Sequence, residues 1–454
     1  MTLPRLRGTG KHRAAKPTAA GRRAVALATV LSAAGIQAVG AVGTAEADDT
    51  AQNTAQAWPE GPVFNDPKGD ADQQYAIRTR LLQLTDAAKP GSTIKVAVYH
   101  VWEATVVQAL VNAKNRGVHV QILLDESSRS DRPTNTSYAT LAEALGTDPA
   151  KSSFVALCPP HKSCLGDPKY GQSIMHNKFW LFSEVEGAKD VVVQTTSNST
   201  PSAHTKFFND ALLLPNNPTM YDAYADYFSD MVGKRWRDWD YRTVSSGLYK
   251  AYFFPRDGSV NETDTMYSVL NNVSCTYKDA HGVKQRTKVR AAIFKVTRKQ
   301  IADKLVSLKK AGCSVDLVYA ETDSKKSQGT PGTWETLHKS GGPTLRCYND
   351  DRDPLHPGQK LTTPYIIHTK YLLIDGVYDG KRNKVSFTGS QNYTGPALRE
   401  NDEAIVKVDD DGVHDTYRAH FDRAKAVAWP GKADTTDLCK GVKPLPPDGE
   451  NPRT

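Results

Sequence analysis

Once its first 47 residues are set aside, this 454-residue chain has almost no excess charge of either sign. Those residues hold 7 of the 58 lysines and arginines and 1 of the 50 acidic residues, which leaves 51 basic residues against 49 acidic ones. A protein dedicated to nucleic acid usually carries a clear basic excess. The composition therefore argues against such a protein, although it is compatible with a local basic groove.

The sequence also lacks the usual signs of a zinc site. No C-x-x-C pair and no histidine pair at ligand spacing accompanies the cysteines. In an exported chain, an even number of cysteines favours disulfides. Cys158 and Cys164 are expected to pair and to brace the short loop between them, while the partners of the others stay open. The six cysteines are Cys158, Cys164, Cys275, Cys313, Cys347 and Cys439.

Residues 1–47 have the pattern of an export signal. A basic stretch that ends in Arg22-Arg23 precedes an alanine-rich apolar run and a small-x-small cleavage signal, Ala45-Glu46-Ala47. The pattern predicts a secreted protein, exported by the general or the twin-arginine route. Residues 441–454 are rich in proline and charge and are expected to be disordered.

Two short motifs stand 192 positions apart, each at an apolar run. They are His176-Asn177-Lys178 in SIMHNKFWLF and His368-Thr369-Lys370 in YIIHTKYLLID, and an asparagine follows each after about two dozen residues. On a strand, residues i and i+2 face the same way. Each motif therefore presents an imidazole beside an ammonium, which suits phosphodiester chemistry. A single His-x-Lys would mean little, but duplication makes a site the better interpretation.

The motifs lie inside a longer internal repeat. TIKVAVYHVWEATVVQALVNAKNRGVHVQILLDE and TKVRAAIFKVTRKQIADKLVSLKKAGCSVDLVYAE both predict strand, helix, glycine turn and strand, with Gly117 and Gly312 at the turns. Asn209-Asp210 and Asn401-Asp402 also match at the 192 offset of the histidines. The pattern predicts an α/β protein of two pseudo-symmetric halves, residues 48–250 and 251–440, each a mixed sheet flanked by helices.

The second motif resembles a signature of the phospholipase D superfamily. His368, Lys370 and Asp375 fit H-x-K-x-x-x-x-D, and a G-S-x-N turn follows at 389–392. The first copy is similar but degraded, because Ser183 replaces the aspartate and Thr195-Thr196-Ser197-Asn198 replaces the turn. We interpret Ser183 as a local structural change. The resemblance implies one active site at the interface of two phospholipase D-like halves, with no metal and no cofactor.

The resemblance also implies residue roles. His176 would be the nucleophile that forms a phosphohistidine, and His368 the general acid and base. Lys178, Lys370, Asn198 and Asn392 would stabilise the phosphoryl oxygens. We expect Asp210 to accept a hydrogen bond from His176, and Glu403 or Asp402 to accept one from His368. His100 and His204 have no repeat partner and are expected to be packing or surface residues, with His204 the better candidate for a role near the Asn198 turn.

Three functions fit the sequence. The first is a secreted, monomeric phospholipase D that hydrolyses glycerophospholipids at a membrane or micelle surface and passes the phosphatidyl group to water or an alcohol. The second is an extracellular nuclease of the same superfamily, which a basic groove at His176 would favour. The third is a non-catalytic binding protein derived from the enzyme, which the altered first motif would favour.

Overall fold

The computed structural model describes residues 58–132, 134–323, 332–430 and 439–441. The predicted leader, and the predicted tail from residue 442 onward, lie outside these ranges. Within them, every helix is too short or too polar to cross a bilayer.

The strands are β1 (Gly61–Asn65), β2 (Thr93–Val98), β3 (His119–Leu124), β4 (Phe154–Leu157), β5 (Lys178–Val185), β6 (Ala188–Thr195), β7 (Phe207–Leu214), β8 (Arg242–Ser246), β9 (Tyr249–Phe253), β10 (Val273–Ser274), β11 (Thr276–Lys278), β12 (Lys284–Arg286), β13 (Lys288–Val296), β14 (Ser314–Thr322), β15 (Thr344–Cys347), β16 (Asn349–Arg352), β17 (Lys360–Ile367), β18 (Lys370–Tyr378), β19 (Lys381–Gly389), β20 (Ala404–Val408) and β21 (Trp429–Pro430). The helices are α1 (Ala71–Gln74), α2 (Ala76–Asp86), α3 (Ala104–Asn115), α4 (Ser127–Ser130), α5 (Ser137–Leu145), α6 (Pro201–Thr205), α7 (Pro218–Val232), α8 (Thr265–Asn271), α9 (Lys299–Lys310), α10 (Thr333–Leu337), α11 (Gly395–Arg399) and α12 (Asp411–Val427).

Two mixed sheets carry the fold. The first has the order β16-β17-β7-β6-β5-β2-β3-β4, with β1 on β7, and the second has the order β21-β15-β14-β13-β18-β19-β20-β9-β8, with β10 on β18. In each sheet, parallel strands (β2 with β3, β13 with β14) continue into an antiparallel meander. The predicted mixed α/β architecture is confirmed.

The predicted repeat corresponds to β2-α3-β3 and β13-α9-β14. In the first copy Val107 and Leu110 are buried on one face of α3 and close the core over the sheet. Each helix ends before a glycine with positive φ, +92° at Gly117 and +99° at Gly312. Glycine suits this position because it lacks a Cβ that would clash in the left-handed region.

The two halves exchange strands. The β16–β17 hairpin follows β15 of the second sheet, yet β17 pairs in parallel with β7 of the first sheet. Strand β8 precedes the predicted boundary at residues 250 and 251, yet it pairs with β9 in the second sheet. That boundary stays a prediction. The strand pairing shows that each half supplies a strand to the sheet of the other half.

The predicted Cys158–Cys164 disulfide is confirmed. The other bridges join Cys275 to Cys313 and Cys347 to Cys439. Disulfides are typical of proteins from oxidising compartments, so they are consistent with an extracellular protein.

Candidate active site

The eight residues predicted for the site are all buried, with at most 4% of any of them exposed. They come from the starts of β5 and β18, from the turns after β6 and β19, and from the β7 and β20 regions that pair with those strands. The eight are His176, Lys178, Asn198, Asp210, His368, Lys370, Asn392 and Glu403.

His176 contacts a carboxylate of the second half. Its Nδ1 lies 2.8 and 2.9 Å from the two carboxylate oxygens of Glu403. The backbone N–H of His176 also donates to Asp402 O at 3.0 Å, which fixes the segment before β5 against the second half. The expectation that Asp210 is the acceptor for His176 is therefore wrong.

His368 contacts an amide of the first half. Its Nδ1 lies 2.7 Å from Asn209 Oδ1, and its backbone N–H donates to Phe208 O. The acceptors are thus crossed between the halves, and the expectation that Glu403 or Asp402 would serve His368 is wrong. Lys370 Nζ lies 3.1 Å from His368 Nε2 and donates to the His368 carbonyl at 2.6 Å.

The strand register explains the error. Thr195 pairs with Ala211 in the first sheet, and Gly389 pairs with Ile405 in the second, an offset of 194 in both cases. At that offset Asn209 is the counterpart of Glu403. The alignment of Asn209-Asp210 with Asn401-Asp402 at offset 192 is therefore out of register by two residues. The reason is that the segment from the motif histidine to the asparagine is two residues longer in the second half than in the first.

Asp210 and Asp402 have structural partners instead. Asp210 accepts hydrogen bonds from the hydroxyls of Thr388, Tyr417 and Thr196, and burial raises its pKa to about 6. Asp402 accepts the backbone N–H groups of Cys164 and Leu165. Burial raises its pKa well above the ordinary value, against the effect of those two bonds. Both carboxylates thus join the halves next to the histidine acceptors.

The two asparagines differ in their hydrogen bonding. Asn198 Oδ1 accepts from the backbone N–H of His100 at 3.4 Å, a long bond that orients the amide. Neither amide atom of Asn392 has a hydrogen-bond partner among the described residues, although the side chain is fully buried. An unpaired buried amide is costly unless a ligand satisfies it.

Gly389 allows the turn that carries Asn392. A Cβ at this glycine would lie 2.1 Å from Ala404 O, so no other residue fits without displacement of backbone. In the first half Thr195 takes this place, and its hydroxyl donates to Asp210 O and accepts from Ser197 N. The first turn is therefore held partly by the Thr195 hydroxyl, which has no equivalent at Gly389 in the second turn.

Sequence reasoning missed a buried relay beside the first motif. His100 is stacked between Tyr99 and Trp102, and its Nε2 lies 3.0 Å from Ser127 Oγ, which donates to Asp125. Burial raises the pKa of Asp125 to about 6. The expectation that His100 is ordinary packing was incomplete, and alignment on the glycine turns would have paired it with Lys295.

His204 and Ser183 have structural roles. His204 Nε2 lies 2.6 Å from Glu103, whose carboxylate also pairs with Arg78, and this ties α6 to the start of α3. Ser183 Oγ accepts the backbone N–H of Thr93. It lies seven residues beyond His176, roughly 20 Å along the strand. This contact agrees with a local change at Ser183.

One cluster has the composition of a metal site. Sulfurs of Cys158 and Cys164 and a carboxylate oxygen of Asp402 lie within 4.8 Å of one another. Both sulfurs are joined in a disulfide and are not thiolate ligands. The carboxylate is used by backbone N–H groups, so this cluster is structural.

Two α/β halves, in which each histidine of the duplicated His-x-Lys motifs contacts an acceptor in the opposite half, are consistent with a phospholipase D-type fold. The chain belongs to the family described as "Cardiolipin synthase, PLD-like domain", whose protein-family model matches residues 81–232 and 281–425. No curated protein matches the sequence.

Several solved structures are similar to the chain. Polyphosphate kinase from Porphyromonas gingivalis has a TM-score of 0.50 at 14% identity, with 81% of this chain and 50% of that one covered. Phosphatidylserine synthase from Haemophilus influenzae has a TM-score of 0.48 at 11% identity (78% and 84% covered), and Nuc from Salmonella typhimurium has 0.29 at 23% (39% and 96%). The chain spans half the length of the polyphosphate kinase, and at these identities the likeness concerns the fold alone.

Proposed function

We propose that the protein is a secreted, metal-independent phospholipase D that cleaves glycerophospholipids through a phosphohistidine. The observation that carries this proposal is the pair of buried histidines whose Nδ1 atoms are bonded across the halves, to Glu403 and Asn209. A hydrogen bond at Nδ1 makes Nε2 the reactive nitrogen. Of two such histidines, one can act as the nucleophile and the other as the general acid and base at the same phosphorus atom.

In the proposed reaction His176 Nε2 attacks phosphorus while the bond from phosphorus to the head-group oxygen breaks. Protonated His368 gives its Nε2 proton to that oxygen, and the head group leaves as an alcohol. Water then attacks phosphorus as His368 takes one of its protons, and the electron pair of the N–P bond returns to His176. The ammonium groups of Lys178 and Lys370 and the amides of Asn198 and Asn392 would stabilise the phosphoryl oxygens.

Two observations favour a lipid over a nucleic acid as the substrate. The chain after residue 47 is nearly neutral, whereas nucleic-acid binding draws on counterion release by an excess of cations. The matching family model is also described by the name of a cardiolipin synthase, an enzyme named for a phospholipid. A phosphatidyl-histidine could pass its group to an alcohol as well as to water.

The test uses the mature protein in EDTA with phosphatidylcholine vesicles and plasmid DNA in parallel. We expect release of choline from the vesicles and no nicking of the DNA. His176→Ala should abolish the release. His281→Ala, which changes an exposed histidine in the turn between β11 and β12, should leave it unchanged.

Other results would redirect the assignment. DNA nicking that depends on His176 would identify a nuclease, and turnover that EDTA removes would contradict a metal-independent mechanism. If neither substrate reacts, the proposed lipid activity fails and the binding-protein interpretation gains.

A further inference from the structure

A cavity of about 230 Å³ lies on the second sheet, and its lining includes none of the eight residues predicted for the active site. Strands β9, β18 and β20 and helix α8 supply most of this lining. Three of the lining side chains are cations, Lys250, Arg256 and Lys407. Lys407 follows Glu403 by four residues, roughly 13 Å along an extended strand. The cavity is therefore a second place, apart from the motifs, where positive charge collects.

Two of these cations lie directly opposite each other in the sheet. Lys250 on β9 pairs with Lys407 on β20 in the antiparallel register. Like charges in directly opposite positions destabilise a sheet. Lys407 pairs with Asp409 at 3.3 Å, but no carboxylate of the described residues forms an ion pair with Lys250. An anion bound between the two lysines would remove this repulsion.

Tyrosine rings of the lining hold all three cations. The Lys250 ammonium lies 5.3 Å from the ring centroid of Tyr252, and the Lys407 ammonium lies 5.4 Å from that of Tyr378. An aromatic face attracts and orients a cation but leaves its positive charge in place. The N–H groups of both lysines are therefore held at the cavity with charge to offer a ligand.

Arg256 is fixed in the same way. Its guanidinium lies 4.6 Å from the ring centroid of Tyr241 and donates to Thr265 Oγ1 at 3.1 Å and to Glu262 O at 3.3 Å. These acceptors are uncharged, and among the described residues no carboxylate forms an ion pair with Arg256. The arginine is thus oriented by neutral groups and keeps its charge.

The remaining polar groups of the lining are compatible with an anion. Burial raises the pKa of Tyr252, and it raises the pKa of Tyr378 to about 12, so both phenols stay protonated and can donate. The one carboxylate of the lining, Asp379, is exposed and forms no ion pair with the three cations within the described chain. Three cations against Asp379 leave an excess of two positive charges, and of one if Asp409 is also counted.

We propose that this cavity is a binding site for a phosphate-type oxyanion, supplied as inorganic phosphate or by the head group of an anionic lipid such as phosphatidic acid. A tetrahedral oxyanion has oxygens in several directions and can accept from Lys250, Lys407 and Arg256 together, whereas a planar carboxylate has two oxygens in one plane. The inference goes beyond the proposed function and does not depend on it, because binding here needs neither histidine motif.

The first experiment titrates the mature protein with inorganic phosphate by calorimetry at constant ionic strength. Lys250→Gln and Lys407→Gln should each weaken binding at the cavity by about 10- to 100-fold, as expected for loss of a hydrogen bond between charged groups. Lys284→Gln, which makes the same charge change at an exposed position on β12, should not. Both motifs are intact in every variant, so phosphate bound there is common to all. Equal weakening in the three variants, or none in Lys250→Gln, would overturn the inference.

Thermal unfolding separates lost binding from lost structure. In chloride, Lys250→Gln should have the same thermal midpoint as the wild type or a higher one, because the repulsion across β9 and β20 is gone. Phosphate should then raise the wild-type midpoint more than that of the variant, since a ligand stabilises only the state that binds it. A variant that is less stable in chloride and gains as much from phosphate as the wild type would mean that Lys250 serves the sheet alone.

Vesicle sedimentation distinguishes the two sources of the oxyanion. The background is His176→Ala, so that the lipid composition stays constant, and the vesicles are phosphatidylcholine alone or an equal mixture with phosphatidic acid. Binding to the mixture that Lys250→Gln removes and Lys284→Gln does not would identify a lipid head group. Phosphate binding without this vesicle preference would identify the soluble ion, and loss of neither probe in Lys250→Gln would overturn the site. Absence of turnover by the wild type would count against the proposed function alone.

Discussion

Asn392 is a buried residue of the candidate site whose side chain finds no hydrogen-bond partner among the described residues. It is fully buried, and both of its amide atoms lack a partner among the described residues, in a protein that satisfies the neighbouring Gln391 amide nitrogen through Ala397 O. Such an amide costs stability in the free protein. A bound phosphoryl oxygen could accept from Nδ2 and recover part of that cost.

Asn392→Ala should therefore lower kcat on phosphatidylcholine by about 100-fold, which is typical for loss of one oxyanion donor. The thermal midpoint should stay the same or rise, because the substitution removes an unsatisfied polar group. Asn112→Ala, on the exposed side of α3, is the matched control. If kcat were unchanged in Asn392→Ala, the amide would have no part in phosphoryl binding.

The residues of the two motifs could be predicted because duplication distinguishes them from isolated histidines and lysines. Their acceptors could not. Asn209 and Glu403 become equivalent only through the pairing of β6 with β7 and of β19 with β20. At the single offset of 192 residues, Asn209-Asp210 aligns with the identical pair Asn401-Asp402. That alignment assigns to Asp210 the acceptor role that Asn209 has in the structure.

Among the elements, the turn after β19 depends on a close backbone approach. A methyl group at Gly389 would meet Ala404 O at 2.1 Å, whereas one at Gly395, at the start of α11, would meet nothing within 4 Å. Gly389→Ala should lower the free energy of unfolding by about 2 kcal/mol or more, as overpacking does. It should also reduce kcat, since Asn392 follows in the same turn.

Gly395→Ala should leave both quantities nearly unchanged. The comparison uses urea unfolding and choline release on the same preparations. Equal stability of the two variants would mean that the turn can shift to admit a side chain, and the close approach would then not explain the glycine.

The local elements followed from periodicity, but their assembly did not. Alternation in Ile94–Val98 and one apolar face of α3 predict the strand–helix–strand repeat. The parallel pairing of β17 with β7 joins segments about 160 residues apart and depends on surfaces that exist only after both sheets form. The sequence of the β16–β17 hairpin alone does not predict which sheet the hairpin joins.

In the molecule as a whole, two of the disulfides differ in loop length and in their contact with the candidate site. Cys158–Cys164 closes a loop of six positions whose backbone N–H groups hold Asp402, next to Glu403. Cys347–Cys439 spans 92 positions and anchors the end of the described chain to β15. The longer loop predicts that Cys347–Cys439 contributes more to stability. The contact with Asp402 predicts that Cys158–Cys164 contributes more to activity.

Replacing Cys347 and Cys439 by serine should cost about 4 to 5 kcal/mol of unfolding free energy, because a long loop is released in the unfolded chain, against about 2 to 3 kcal/mol for Cys158 and Cys164. The short-loop variant should nevertheless lose more activity, by about 10- to 100-fold, because freeing Asp402 lets the Glu403 carboxylate move relative to His176. Guanidinium unfolding and choline release from each variant test the two orders together. Equal loss of activity in both variants would mean that the short loop does not position the site, and its disulfide would then serve stability only.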